Sequence, residues 1–259
     1  MSLELVGLVG AALLAGFVDA VAGGGGLIQL PALMAVLPDL PVALLLGTNK
    51  AAAACGTSVA VTQYVRRVPL ARDCLLGALP FAIAGAWLGA NAVSCLPTQF
   101  AKPLILLALV GVAFHTWRQR RLGTCHAPRW QGRTATARGA LLGLGIGFYD
   151  GIFGPGTGTW LVFALVRGFG HDFLHASANA KAINLATNLG ALALFAWRGN
   201  VWWAYAVAMG LANMLGAALG SRAALRGGVG FVRSVFLAVL VLLVAKVGID
   251  VLSATMAMR

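Results

Sequence analysis

The sequence predicts an all-α polytopic membrane protein of about eight transmembrane segments, built from two homologous four-segment repeats. Three observations predict it. The chain is 60% hydrophobic and 10% charged, against about 25% charged in a soluble domain. Its apolar stretches are long enough to cross a bilayer, which takes about 20 residues. The two halves align on each other at a single offset of 131 positions.

Composition narrows the function classes. With seven acidic side chains in 259 residues, the chain cannot clothe a soluble globule, so lipid must solvate it. The net charge of +12 comes from arginines between apolar runs. This is the distribution of the positive-inside rule, so nucleic acid is not an expected partner. Cys55, Cys74, Cys95 and Cys125 form no CxxC pair and read as isolated buried thiols. The first apolar segment begins at Leu3 without a basic lead. It reads as a membrane segment rather than a cleaved signal. The expected location is a bacterial-type inner membrane, multi-pass.

The apolar units fall near 3–36, 42–64, 74–94, 101–117, 137–166, 174–197, 201–221 and 231–252. The first and fifth are too long for one straight span. Glycines break the first at Gly23, Gly24, Gly25 and Gly26; Gly154, Pro155, Gly156 and Gly158 break the fifth. Residues 118–138 carry six arginines with Gly and Pro. They divide the chain into a first repeat (1–117), a basic linker loop (118–138) and a second repeat (139–259). Eight simple crossings would put the arginine-richer loops and both termini in the cytoplasm. Re-entrant hairpins at the broken units would change the parity and invert the halves. The sequence leaves both open.

The repeat identifies the residues to watch. Gly16, Asp19, Gly23, Gly25, Lys50, Gly85 and Gly89 match Gly147, Asp150, Gly154, Gly156, Lys181, Gly216 and Gly220. Embedded Asp and Lys are rare in such a chain, so their recurrence is informative. Paired broken helices in corresponding positions point to a transporter's binding site.

Each break ends one helix inside the membrane and starts another. Such irregular backbone is tolerated only against protein or a wet cavity. A restarting helix presents N–H groups and a positive dipole end. Gly23 to Gly26, and Gly154, Gly156, Thr157 and Gly158, are therefore expected to line an anion site. Gln29, just after the first break, has an amide to offer an oxyanion; Trp160 stands at its place in the second half.

Lys50 and Lys181 each sit some seven residues into an apolar unit. A lone ammonium there costs about 2.5–3.5 kcal/mol. It requires a carboxylate, a bound anion or water. Thr48 and Asn49 accompany the first lysine. Lys181, Asn184 and Asn188 form one helical stripe expected to face the bundle interior. Asp19 and Asp150 are read either as structural partners of their own repeat's lysine or as proton-coupling acids.

Other chemistry is not supported. His115, His126, His171 and His175 read as solvated groups at helix ends or loops. No metal site or cofactor is expected. There is no HExxH, P-loop or dinucleotide fingerprint. The scattered acids argue against the runner-up, a membrane-embedded enzyme. A passive anion channel or facilitator would use the same residues as a transporter. The runs Ala51 to Ala54 and Gly210 to Gly220 permit close helix packing, within a chain or in a homodimer.

GFVDAVAGGGGLIQLPAL followed by LGTNKAAAACGTSVAVTQYVRR resembles the sulfite exporter TauE/SafE family, also described as toluene sulfonate uptake permeases. FGPGTGTW in the second half departs from the plainer glycine run of the first. The resemblance runs along the whole chain and implies a secondary transporter, an exporter, of sulfur-containing anions such as sulfite, sulfoacetate or other organosulfonates.

Overall fold

A computed structural model describes residues 3–94 and 126–257. The described residues are all-helical: α1 Leu3–Ala22, α2 Gly26–Val36, α3 Val42–Val65, α4 Arg72–Ser94, α5 Gly132–Ile152, α6 Thr157–Phe169, α7 Phe173–Trp197 and α8 Trp203–Ala257. The expected fourth unit, 101–117, lies outside the described residues.

Local chemistry fixes the breaks. Gly23 stops α1 at φ 81°, its N–H donating to the Asp19 carbonyl. Gly154, at the matched position, has the same φ of 81°. Left-handed backbone of this kind suits glycine. Gly170 ends α6, donating to Val166 while His171 donates to Leu165. The bond from Gly170, a left-handed residue at φ 79°, back to Val166 is an αL closure. Asp172 then caps α7, its carboxylate accepting from the His175 N–H.

The last two expected units, 201–221 and 231–252, are two helices that meet at a kink within α8, where Gly228 has non-helical backbone (φ 64°, ψ −161°). Arg222 to Leu225 are good helix formers and carry the first of them past residue 221.

The halves are inverted relative to each other. α3 and its counterpart α7 run antiparallel. Thr48, near the start of α3, accepts from the N–H of Trp202, just past α7. Asn179, near the start of α7, accepts from the N–H of Ala71, just past α3. These bonds are one interaction displaced by 131 positions. Helices also pair across the halves, α4 alongside α5 and α8 alongside α1. A Cβ on Gly85 would strike the Leu144 carbonyl, and one on Gly216 the Leu13 carbonyl. Those pairs too differ by 131 positions. Small residues allow this close approach of backbones.

α1 runs parallel to α8, so it starts at the face where α3 starts, and α2 returns the chain to that face. α5 and α6 do the same from the opposite face. Each broken unit is thus a hairpin rather than a simple crossing, which removes the premise that placed both termini on the arginine-rich side. Arg198 is the arginine described at the face where α1 and α3 start. The other face gathers Arg66, Arg67, Arg72, Arg129, Arg133, Arg138, Arg167, Arg222 and Arg226.

Polarity is arranged inside out. Leu211, Leu215 and Leu219 make an exposed apolar stripe on α8, and Leu76 and Leu141 are likewise exposed. Lys50 and Lys181 are 2% and 0% exposed, on the two helices at the centre. α1, α4 and the first 30 residues of α8 are each long and apolar enough to span a membrane. Trp197, Trp202 and Trp203 are exposed together at one end, as in an interfacial aromatic belt. Cys74 is buried as expected, whereas Cys55 is exposed on α3.

Candidate substrate site between the helix breaks

The two breaks meet. The Thr159 N–H donates to the Gly23 carbonyl at 3.0 Å. Gly23 and Gly158 pack backbone to backbone, with no room for a Cβ on either. The expectation that all restarting N–H groups await an anion is therefore corrected. That of Thr159 is satisfied by the other break, and that of Leu27 by Gly24 within its own turn.

Beside this contact is a cavity of about 30 Å³, room for one or two water molecules. Both breaks line it, through Gly23, Gly25 and Gly26 and through Gly154, Gly156, Thr157 and Gly158. Lys50, Asn49, Gln29, Asn184, Asn188, Asp19 and Asp150 complete its expected lining. Three predicted residues lie elsewhere. Gly24 is not at the cavity wall. Thr48 binds backbone, donating to the Leu44 carbonyl. Lys181 is buried behind the first break. Trp160 packs against apolar neighbours.

The charges pair across the halves, not within them. Lys50 meets Asp150 at 2.6 Å, and Lys181 meets Asp19 at 2.8 Å. Inversion explains the crossing, because it brings each half's α3-type helix against the other half's break. The pairs differ in setting. Asp150 is 1% exposed and accepts from the Thr157 hydroxyl at 2.6 Å. Asp19 accepts from the Gly25 N–H at 3.3 Å. Only Lys50 faces the cavity, where it also donates to Asn188 Oδ1 at 3.3 Å. Asn188 in turn donates to Asn184 Oδ1 at 2.8 Å. The expected stripe on α7 thus forms a chain of amides ending on the first half's lysine.

Sequence reasoning missed Asn213. It lines the cavity from α8 and donates to Gln29 Oε1 at 2.7 Å. Gln29 also donates to the Asn49 carbonyl at 3.4 Å, so its amide is already engaged. Asn49 Oδ1 is buried without a hydrogen-bond partner. A buried polar atom of this kind requires an explanation, and a solvated or ligand-filled cavity supplies one.

The cavity lies between two apolar clusters. One contains Leu8, Leu30, Leu45 and Phe195, the other Tyr64, Leu161, Phe173 and Val232. A polar, charged pocket closed by apolar groups above and below, between inverted halves with broken helices, is the architecture of a multi-pass membrane transporter. The chain belongs to the sulfite exporter TauE/SafE family, whose model, described as "Sulfite exporter TauE/SafE", matches residues 8–247.

Relatives agree with that class. A "Probable membrane transporter protein ORF9" of Sinorhizobium sp is 34% identical over 245 residues, covering 93% of this chain and 90% of its own. The "Probable membrane transporter protein YfcA" of Escherichia coli K12 is 35% identical over 243 residues, covering 92% and 87%. A "Probable membrane transporter protein" of Haemophilus influenzae is 31% identical over 236 residues, covering 91% of each chain. No solved structure matches significantly.

Proposed function

We propose that the protein is a secondary transporter that exports small sulfur-containing anions, such as sulfite or sulfoacetate, across the inner membrane. One observation carries the reading: Lys50, buried at the wall of the cavity between the two breaks, is held by a carboxylate that an anion can replace. The Asn184–Asn188 chain and Asn49 supply amide groups of the kind that orient an oxyanion, and Gln29 holds Asn49 and Asn213 in place beside them.

Asp150 is the competing anion. Protonating it frees the Lys50 charge for substrate, so proton and substrate bind together. A monoanion moving with one proton is electroneutral. Export then proceeds whenever the outward anion gradient exceeds the inward proton gradient. Asp19, with Lys181, is the counterpart that re-pairs as the halves exchange roles. A 30 Å³ cavity is small for an organosulfonate, so loading requires the apolar cluster on one side to part. Inverted halves provide two equivalent ways of doing so. By the positive-inside rule the arginine-rich face is cytoplasmic, which places the start of α1 outside.

Sulfite and sulfoacetate flux in proteoliposomes, with and without an imposed pH gradient, tests this. Uptake into the vesicle that rises when the outside is acid supports coupling. Flux indifferent to the gradient contradicts it and favours a channel. No flux of either anion contradicts the substrate assignment.

A further inference from the structure

Away from the central cavity, one group of side chains is arranged in a way that transport does not use. At the arginine-rich face, Ala127 and Arg129 donate backbone N–H groups to Gly170 and Phe169, tying the segment before α5 to the α6–α7 turn. This tie gathers three histidines around one carboxylate. His175 Nδ1 lies 2.8 Å from Asp172 Oδ2, and His126 Nδ1 lies 3.9 Å from the same oxygen. The His126 ring stands 3.9 Å from that of His175 and 5.3 Å from that of His171, centroid to centroid. His171 is 3% exposed rather than solvated, and its Nδ1 has no hydrogen-bond partner.

We propose that His126, Asp172 and His175 form a binding site for a divalent transition-metal ion of the Zn²⁺ class, with His171 as a further ligand or support. Nitrogen and carboxylate donors of this kind suit Zn²⁺ and Co²⁺ rather than Mg²⁺ or Ca²⁺. One ligand atom from each of the three residues lies within 4.8 Å of the others. Ligand atoms about 2.0–2.2 Å from a shared ion would need to close by about 1 Å. A hollow of about 520 Å³, lined also by Trp130, Gln131 and Asn179, adjoins the group and gives an ion a way in. A bound ion would clamp the segment before α5 to the turn that closes the second hairpin.

The test uses the full-length protein in detergent, titrated with Co²⁺ and followed by visible absorption. One Co²⁺ per chain, displaced by Zn²⁺ and accompanied by a higher melting temperature, is expected. His126→Ala and His175→Ala should each weaken Co²⁺ binding by at least about tenfold without lowering the metal-free melting temperature. Asp172 is not substituted, because it caps α7. Absence of micromolar binding overturns the proposal, as does binding unchanged in both variants. A thiolate-to-cobalt charge-transfer band would place the ion on a cysteine and overturn it equally.

Discussion

Removing Lys50 alone leaves Asp150 charged and buried, and breaking such a pair costs about 3–5 kcal/mol. Lys50→Met is therefore expected to lower the melting temperature sharply, and Lys50→Met/Asp150→Asn to recover most of the loss. Thermal unfolding of the three proteins in detergent checks this. Gly23 gives a second prediction at this scale. Gly23→Ala adds a left-handed alanine, about 1–2 kcal/mol, to a collision with Gly158. Gly199→Ala, with a φ of 71° but open space around it, should show the conformational term alone. Equal melting temperatures for the two variants would contradict the interlocking of the breaks. The repeat made Lys, Asp and Gly legible in the sequence, because each recurs where chance recurrence is rare. Asn213 carries no such mark, since its counterpart is Ala82. Thr48 and Asn179 do match, but their shared role is to receive a backbone N–H from the other half. That role depends on a contact between distant helices.

Among the elements, the helix breaks were readable because clustered Gly and Pro act locally. The boundaries of α3, α4 and α7 follow apolar content and came within about two residues. The pairing of α4 with α5, and of α1 with α8, was not readable. Gly77, Gly85 and Gly89 announce a close neighbour but do not say which one. That pairing predicts a contrast between two glycines. Gly85→Val should cost about 1–3 kcal/mol by overpacking against α5. Gly145→Ala, on α5 with nothing within 4 Å, should stabilise by about 1 kcal/mol through helix propensity. Melting temperatures that move in opposite directions would bear this out. A tolerated Gly85→Val would mean that α4 and α5 do not pack as described.

For the whole molecule, the hairpins decide the sidedness. With them, positions 39 and 198 share one face and positions 67 and 167 the other. Simple crossings would separate the members of both pairs. Single cysteines at these positions, placed in a background lacking the native four and labelled from outside intact cells with an impermeant maleimide, distinguish the two. Labelling at 39 and 198, with 67 and 167 protected, is the expected result. This arrangement also turns an ambiguous arginine count into a one-sided one, an effect hidden in the sequence because it depends on crossing parity. The same inversion crosses the two ion pairs and puts Lys50 in the cavity with Asp150. In the proposed function this lysine holds the transported anion. The most direct measurement is sulfite flux in proteoliposomes carrying wild type or Lys50→Met/Asp150→Asn, compared at matched amounts of folded protein. Loss of flux from the well-folded, charge-neutral double variant is predicted. Flux at the wild-type rate would contradict the account, leaving the pair a structural element and the anion path elsewhere.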